Sequence, residues 1–416
     1  MKIALVHTAD FGGGAERSVV SLHKQLRSAG HDCTLYVGRK TSSESDIVEI
    51  PYVRGIPGLR RTARAIERRF GLQDIYNPSF RNLIRLIPSE TDVVHFNSLW
   101  GAAGYADLGV LPAITRRFPS LVTMREAWLL TGHCACFFEC DRWKQGCGQC
   151  PDLARAPAIE RDGTASNWRR KHRLFGRSPI RVIAISNWLA RRARESPILK
   201  HLPIETVYNG IDTEVFRDVD PSVRRNLRRK FGVGEDQIAI LVAGQTVEGI
   251  NEDIAQEWVT AINEISDDRI VVMIIGHSAQ RVSQGVSAPS ICVPFRATPE
   301  EMAECFHAAD FTVVTSAFEA FGRIAAESQA CRTPVVSFDT GGLPEVVVDH
   351  EGGLLVPRHD IAALRNAIER MLREAELRKQ LGVQGQVAIH QRFSDSLIAE
   401  NYLRQYRGEI AARNVA

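Results

Sequence analysis

The sequence predicts an α/β fold built from two parallel-sheet domains, on three observations. Its 416 residues are long for one domain and suit two. Short apolar runs alternate with helix-periodic stretches: Ile3–Val6, Val93–Phe96, Leu121–Met124, Ile238–Val242, Ile270–Ile275 and Phe311–Val314 read as buried strands. The first run leads into Phe11-Gly12-Gly13-Gly14 and then a helix from Ala15 to about Ser28, with Val19, Val20, Leu22 and Leu26 on one face. A strand, a glycine turn and a helix, closed by Gly30 before the strand Thr34–Val37, open nucleotide-binding sheets, although glycine runs also serve as plain turns.

Composition narrows the function classes. Up to Val215 there are 31 Lys and Arg against 21 Asp and Glu, and beyond it 21 against 28. A basic first half suggests an anionic partner there, and nucleic acid is not expected. No apolar run approaches the ~18 residues of a membrane span. The start, M-K-I-A-L-V-H, reads as a first strand and not as a secretion signal, so a cytoplasmic setting is expected. The segment G-L-R-R-T-A-R-A-I-E-R-R-F ends at Phe70 and places Leu59, Ala63, Ile66 and Phe70 at helical spacing among five arginines. It could rest on the anionic inner face of a membrane, meet an anionic acceptor, or be a solvated helix.

The densest chemistry lies in Val313–Glu345, which reads strand, loop, helix, strand, loop. Ser316–Gly322 is the loop and Arg323–Cys331 the helix, with Pro334 as its stop. Glu319 and Glu327 sit in the loop and one turn into the helix. The helix start would turn the amides of Ala320–Arg323 outward for a phosphate or sugar oxygen, and a carboxylate on the same turn suits a ribose diol. Ser316, Glu319, Phe321, Gly322, Glu327, Ala330, Pro334, Val335, Val336, Gly341, Gly342 and Glu345 together resemble the E-x7-E signature of the retaining glycosyltransferases of family 4.

That resemblance covers nearly the whole chain and implies a GT-B architecture: two Rossmann-like domains facing across a cleft. Tyr208-Asn209-Gly210-Ile211-Asp212 is similar to the family's crossing point, which implies domains over 1–207 and 208–394 and a last helix, 395–416, returning to the first domain. It implies a nucleotide-sugar donor and no metal required for catalysis. Glu327 would hold the ribose. Glu319 and the amides of Ala320, Phe321 and Gly322 would meet the sugar. Gly13 and Gly14 would lie near the phosphates. The segment Cys292–Arg296, with Phe295, would face the base, and His277 would line the same pocket or be a surface residue. The acceptor would be a glycan, lipid-linked glycan or small molecule, in polysaccharide or glycoconjugate biosynthesis.

Residues 131–151 resemble a cysteine-rich insert of one branch of the family, through Cys134, Cys140, Cys147 and Cys150. Four thiolates suit a structural zinc, with Cys136 and His133 as substitutes; packed reduced thiols or one disulfide are the alternatives.

Three departures qualify the resemblance. The loop Ala243–Asp253, where the family grips the diphosphate with an Arg and a Lys, has no basic residue. Arg323 stands where the family is commonly apolar; it either supplies the missing charge or points into solvent. Arg125-Glu126 replaces His-Asp in the first domain. Arginine cannot act as a base, so Glu126 is expected to orient an acceptor hydroxyl and Arg125 to bind an anion. The expected catalytic set is Glu319, Arg323, Glu126 and Arg125, with a binding or regulatory subunit as the rival reading.

Overall fold

The computed structural model describes residues 1–50, 59–73, 78–99, 106–243, 252–296 and 298–415, with backbone alone at 59–61, 63–64, 78–79, 252–255 and 415. The chain forms two compact units: Met1–Gly210 together with Ser396–Ala416, and Ile211–Asp395.

Among the described residues the first unit carries seven parallel strands: β1 (Lys2–His7), β2 (Asp32–Val37), β3 (Ile47–Glu49), β4 (Val93–Phe96), β5 (Ser120–Met124), β6 (Arg181–Ala184) and β7 (Ile204–Thr206). Their order is β3-β2-β1-β4-β5-β6-β7, so the winding reverses between β1 and β4. Ligands of such sheets gather at the carboxyl ends of the strands at that reversal. β6 stops at Ala184, and Ser186 caps the next helix, its Oγ accepting from Leu189 N at 3.1 Å.

The second unit repeats the plan with β8 (Ile238–Ala243), β9 (Ile270–Ile275), β10 (Ser290–Val293), β11 (Phe311–Val314), β12 (Val335–Phe338) and β13 (Gly353–Val356), in the order β10-β9-β8-β11-β12-β13. Here the reversal falls between β8 and β11. The helix Pro221–Phe231 leads into this sheet: Asp220 caps it, Pro221 fits its first turn, and Gly232 ends it at φ 77°. Asp310, at the foot of β11, fastens this helix to the sheet. Its two oxygens accept from Arg224 and Arg228, each at 2.8 Å, and one also accepts from Ala239 N at 2.8 Å.

The last helix, Asp395–Val415, belongs to the first unit, where Ile398, Ala399, Tyr402, Leu403 and Tyr406 join the core built on Ile3, Leu5, Val93 and Leu121. A polar chain crosses this apolar seam. His95 Nδ1 lies 2.7 Å from Tyr406 Oη and Nε2 lies 2.7 Å from Thr123 Oγ1, which is 3.2 Å from Tyr402 Oη. Burial drives His95 well below its usual range, so the ring is neutral and donates from one nitrogen while accepting at the other. His95, near the end of β4, is thus wholly buried beneath the last helix.

Removing the Tyr406 hydroxyl would leave a buried imidazole nitrogen unpaired. Tyr406→Phe is expected to lower unfolding free energy by about 1–3 kcal/mol. In urea the midpoint should fall at unchanged slope.

Candidate functional site

β11 delivers the chain to the carboxyl edge of the second sheet, beside the β8–β11 reversal. The loop to Gly322 then turns into the helix Arg323–Ala330. Glu319 folds back onto this turn. Its Oε1 accepts from Gly322 N at 3.1 Å and lies 3.4 Å from Phe321 N. Burial raises its pKa, and these amides oppose the rise. The amides expected to face outward for a phosphate or sugar are therefore held by Glu319 itself.

Arg323 does not point into solvent. Its Nε donates to Glu327 Oε1 at 2.6 Å, one helical turn on, and the two side chains are 17% and 2% exposed. Glu327, expected to face a ribose, is thus the buried half of an ion pair. Ala320 and Phe321 are buried too, and Phe321 packs edge-on against Phe393 at 5.5 Å between ring centres.

The loop after β12 closes on this turn at backbone distance. Gly342 N donates to Glu319 O at 2.9 Å. A Cβ at Gly341, which has φ 62°, would lie 2.0 Å from Glu319 O, and one at Gly342 would lie 2.5 Å from Ala320 O. Only glycine permits that approach. Further along the edge, Gly276 N donates to Val293 O at 3.1 Å and ties together the ends of β9 and β10. His277 and Phe295 consequently stack, with centroids 5.0 Å apart and planes at 15°. Residues 244–251 of the loop without basic residues lie outside the described residues, as do the side chains of Glu252 and Asp253.

The first unit gathers a second set at its own β1–β4 reversal. Gly13 caps the helix Gly14–Ser28, and its carbonyl accepts from Arg17 N at 3.1 Å. Thr8 Oγ1 donates to Glu16 Oε1 at 3.2 Å, and His7 Nε2 lies 3.7 Å from the same oxygen. His7 is 1% exposed and neither ring nitrogen has a hydrogen-bond partner among the described residues. Burial, and secondarily Arg125, lower its pKa to about 3, so it is neutral.

Arg125, just beyond β5, is a clamp. Nε donates to Asn97 O at 3.1 Å, one terminal nitrogen to Asn209 Oδ1 at 2.7 Å, and the other lies 3.3 Å from Asn97 Oδ1. It ties the loop after β7 to the end of β4, a positioning role in addition to the anion binding expected of it. Glu126 beside it is half-buried, and burial pushes its pKa up to about 7 against the pull of Arg125 and Lys171. Near neutral pH such a carboxyl can accept or return a proton. Sequence reasoning missed His7, Glu16, Asn97 and Asn209; the available signal was the place of His7 at the end of β1, of Asn97 just past β4 and of Asn209 in the loop after β7.

In the insert, no disulfide joins any of the cysteines. Cys134, Cys140, Cys147, Cys150 and His133 line one cavity of about 20 Å³. In the basic helix Leu59–Phe70, Arg68 and Arg69 pair with Glu160 at 3.5 and 3.0 Å, while Ile66 and Phe70 are each 52% exposed. The side chains of Arg60, Arg61 and Arg64, and residues 53–58, lie outside the described residues.

Two outcomes follow from this geometry. Gly341→Ala combines left-handed strain with a backbone clash and should cost about 2–4 kcal/mol, read as a lower denaturation midpoint. For Glu126 the folded pKa lies above the unfolded one, so the cost of burying its charge is absent below about pH 4.5 and full above about pH 7. Glu126→Gln should therefore gain about 1–2 kcal/mol relative to the parent between pH 5 and pH 8, discounting for its partial exposure. A difference flat with pH would contradict that burial.

Comparison with known proteins agrees with this architecture. Residues 12–215 match the family described as Glycosyltransferase Family 4, and residues 223–387 match Glycosyl transferases group 1. The chain is 34% identical over 228 residues to a D-inositol 3-phosphate glycosyltransferase of Acidothermus cellulolyticus, covering 51% of this chain and 50% of that one. It is 32% identical over 196 residues to the protein of that name in Thermobifida fusca, covering 44% of each. The chain spans about half the length of these curated relatives or less. Among solved structures, it superposes on Anabaena HepE in complex with UDP and glucose with a TM-score of 0.68 at 17% identity, over 98% of this chain and 100% of that one. It superposes on sucrose-phosphate synthase from Thermosynechococcus elongatus with a TM-score of 0.70 at 19% identity, over 99% and 100%. The chain belongs to the GT-B glycosyltransferases that join a Glycosyltransferase Family 4 region to a Glycosyl transferases group 1 region.

Proposed function

We propose that this protein is a retaining glycosyltransferase that moves a sugar from a nucleoside-diphosphate donor to a hydroxyl acceptor. The observation that carries the reading is the turn at the carboxyl end of β11. There an arginine, two carboxylates and a run of backbone amides converge within one helical turn, each satisfied by its neighbour until a ligand competes. A donor diphosphate would draw Arg323 from Glu327, since phosphate oxygens suit guanidinium as well as carboxylate does. Glu327 would then accept the ribose hydroxyls. Glu319 would exchange its amide bonds for sugar hydroxyls. The stacked His277 and Phe295 offer a flat face to the base.

Chemistry of this kind places developing negative charge on the departing phosphate, so catalysis is electrostatic stabilisation and positioning. Arg323 supplies the positive charge that the loop 243–253 lacks in sequence. With configuration retained, the leaving phosphate can take the acceptor proton, and Glu126 orients the acceptor hydroxyl. No step needs a metal.

For the acceptor we infer a glycan, a lipid-linked glycan or a small polyol. The names of the inositol 3-phosphate relatives support including a phosphorylated polyol among those tested. A lipid-linked acceptor would bring the protein to the cytoplasmic face of a membrane, where the exposed Ile66 and Phe70 on the basic helix Leu59–Phe70 could rest.

A thermal-shift screen against nucleotide sugars, followed by donor-hydrolysis assays, tests the reading, because a ligand that binds the native state raises Tm. Stabilisation by one donor and slow release of its sugar are expected. Donor hydrolysis removes the reading as a binding or regulatory subunit, and no nucleotide-sugar binding at all supports it. Arg323→Ala should weaken donor binding about ten- to a hundredfold in calorimetry. Unchanged affinity would remove Arg323 from the site.

A further inference from the structure

Between β5 and the helix Thr164–Phe175 the chain runs 125–163 with a single short 3-10 turn, Arg142–Lys144, as regular structure. A stretch of that length without helix or strand needs something to hold it. It has no disulfide. Its core is instead one small cavity lined by Cys134, Cys140, Cys147, Cys150 and His133, together with the buried Phe137 and Trp143. The cavity, about 20 Å³, has room for a single atom.

We propose that this cavity is a structural site for one zinc ion, held by the thiolates of Cys134, Cys140, Cys147 and Cys150. Several independent features point there. The Cys147-to-Cys150 turn is wound through four consecutive left-handed residues, Gly146 at φ 124°, Cys147 at 55°, Gly148 at 93° and Gln149 at 46°. A non-glycine residue pays for such a conformation only where the surroundings demand it. The turn curls both sulfurs towards the cavity and aims Gly132 N at Cys147 Sγ, 3.2 Å away, as an amide donor to a thiolate would be aimed. His133, 1% exposed, sets its Nδ1 3.9 Å from Cys150 Sγ, and its Nε2 has no hydrogen-bond partner among the described residues.

Binding would also change the charge of the insert, which holds two cations. Four thiols lose four protons on binding, and zinc with four thiolates carries a net charge of about −2. Lys171 is buried beneath the insert, with Nζ 2.5 Å from Trp128 O and 3.0 Å from Thr131 O, and Arg155 spans from Asp152 to Phe137 O.

One feature of the geometry sets what binding must do. Among the described residues, the ligand trio already drawn within 4.8 Å is His23, Glu44 and Asp46, not any three of these sulfurs. That trio is closed to a cation, because Asp46 holds Arg27 at 2.6 Å and His23 Nε2 faces Cys33 O at 3.1 Å. Zinc–sulfur bonds of about 2.3 Å put sulfurs roughly 3.8 Å apart, so the four thiols must contract around the ion. The proposed zinc therefore tightens the insert and is not its catalyst.

Metal content of the full-length protein, purified under reducing conditions, tests this. About one zinc per chain is expected, with the intense visible band of tetrahedral thiolate on cobalt exchange. Cys147→Ser should reduce bound zinc at least about fivefold, while Cys136→Ser, outside the cavity, should keep it. His133→Ala should keep the stoichiometry but weaken zinc affinity roughly 10–100-fold in chelator competition. If Cys147→Ser fails to fold, zinc protection of the parent's thiols from alkylation gives the same reading. A chain that holds no zinc after reconstitution, with its insert thiols equally reactive with and without the metal, overturns the proposal. So does a mass showing these cysteines joined as disulfides.

Discussion

The contact on which the second unit's site depends is between two loops at backbone distance. Gly342 N bonds to Glu319 O at 2.9 Å, and Gly341 and Gly342 leave no room for a Cβ between the loops. That approach holds the Glu319 turn at the edge of β11, and the turn in turn sets the start of the helix bearing Arg323 and Glu327. A side chain on either glycine would push the carboxylate, the amides it caps and the helix start away from the strand end together. The turn is therefore fixed in its backbone, while its charged side chains are paired with one another.

The same logic of internal satisfaction runs through the first unit. Arg125 is spent on Asn97 and Asn209, and so fixes the ends of β4 and β7. Its charge also helps keep His7 neutral and opposes the burial that raises Glu126. One guanidinium thus tunes two neighbours while holding the loops that carry them. Arginine itself cannot give up a proton near neutral pH, whereas the neighbouring Glu126, with its pKa raised to about 7, can exchange one.

Several features were legible in the chain because they depend on near neighbours. Strand runs and the glycine loops follow from local stereochemistry. Others were not. His95 lies within a short apolar run, yet its partners Tyr402 and Tyr406 come from some 300 positions away, and nothing local announces that. β3, three residues long, is too short for a periodic signal. Arg323 was open between solvent and phosphate; the i,i+4 spacing to Glu327 was visible, but whether both side chains would be buried was not.

By itself the sequence determined the α/β class, the E-x7-E helix and the glycines that let two loops meet, since each follows from residue type and spacing along a few turns of chain. The tertiary structure alone decided what the charged groups do: that Glu319 caps its own turn, that Arg323 rests on Glu327, that Arg125 is a clamp, and that four cysteines over seventeen positions share one cavity. The physical reason is that burial and partnership set the behaviour of a polar group, and both are supplied by segments far apart in the chain.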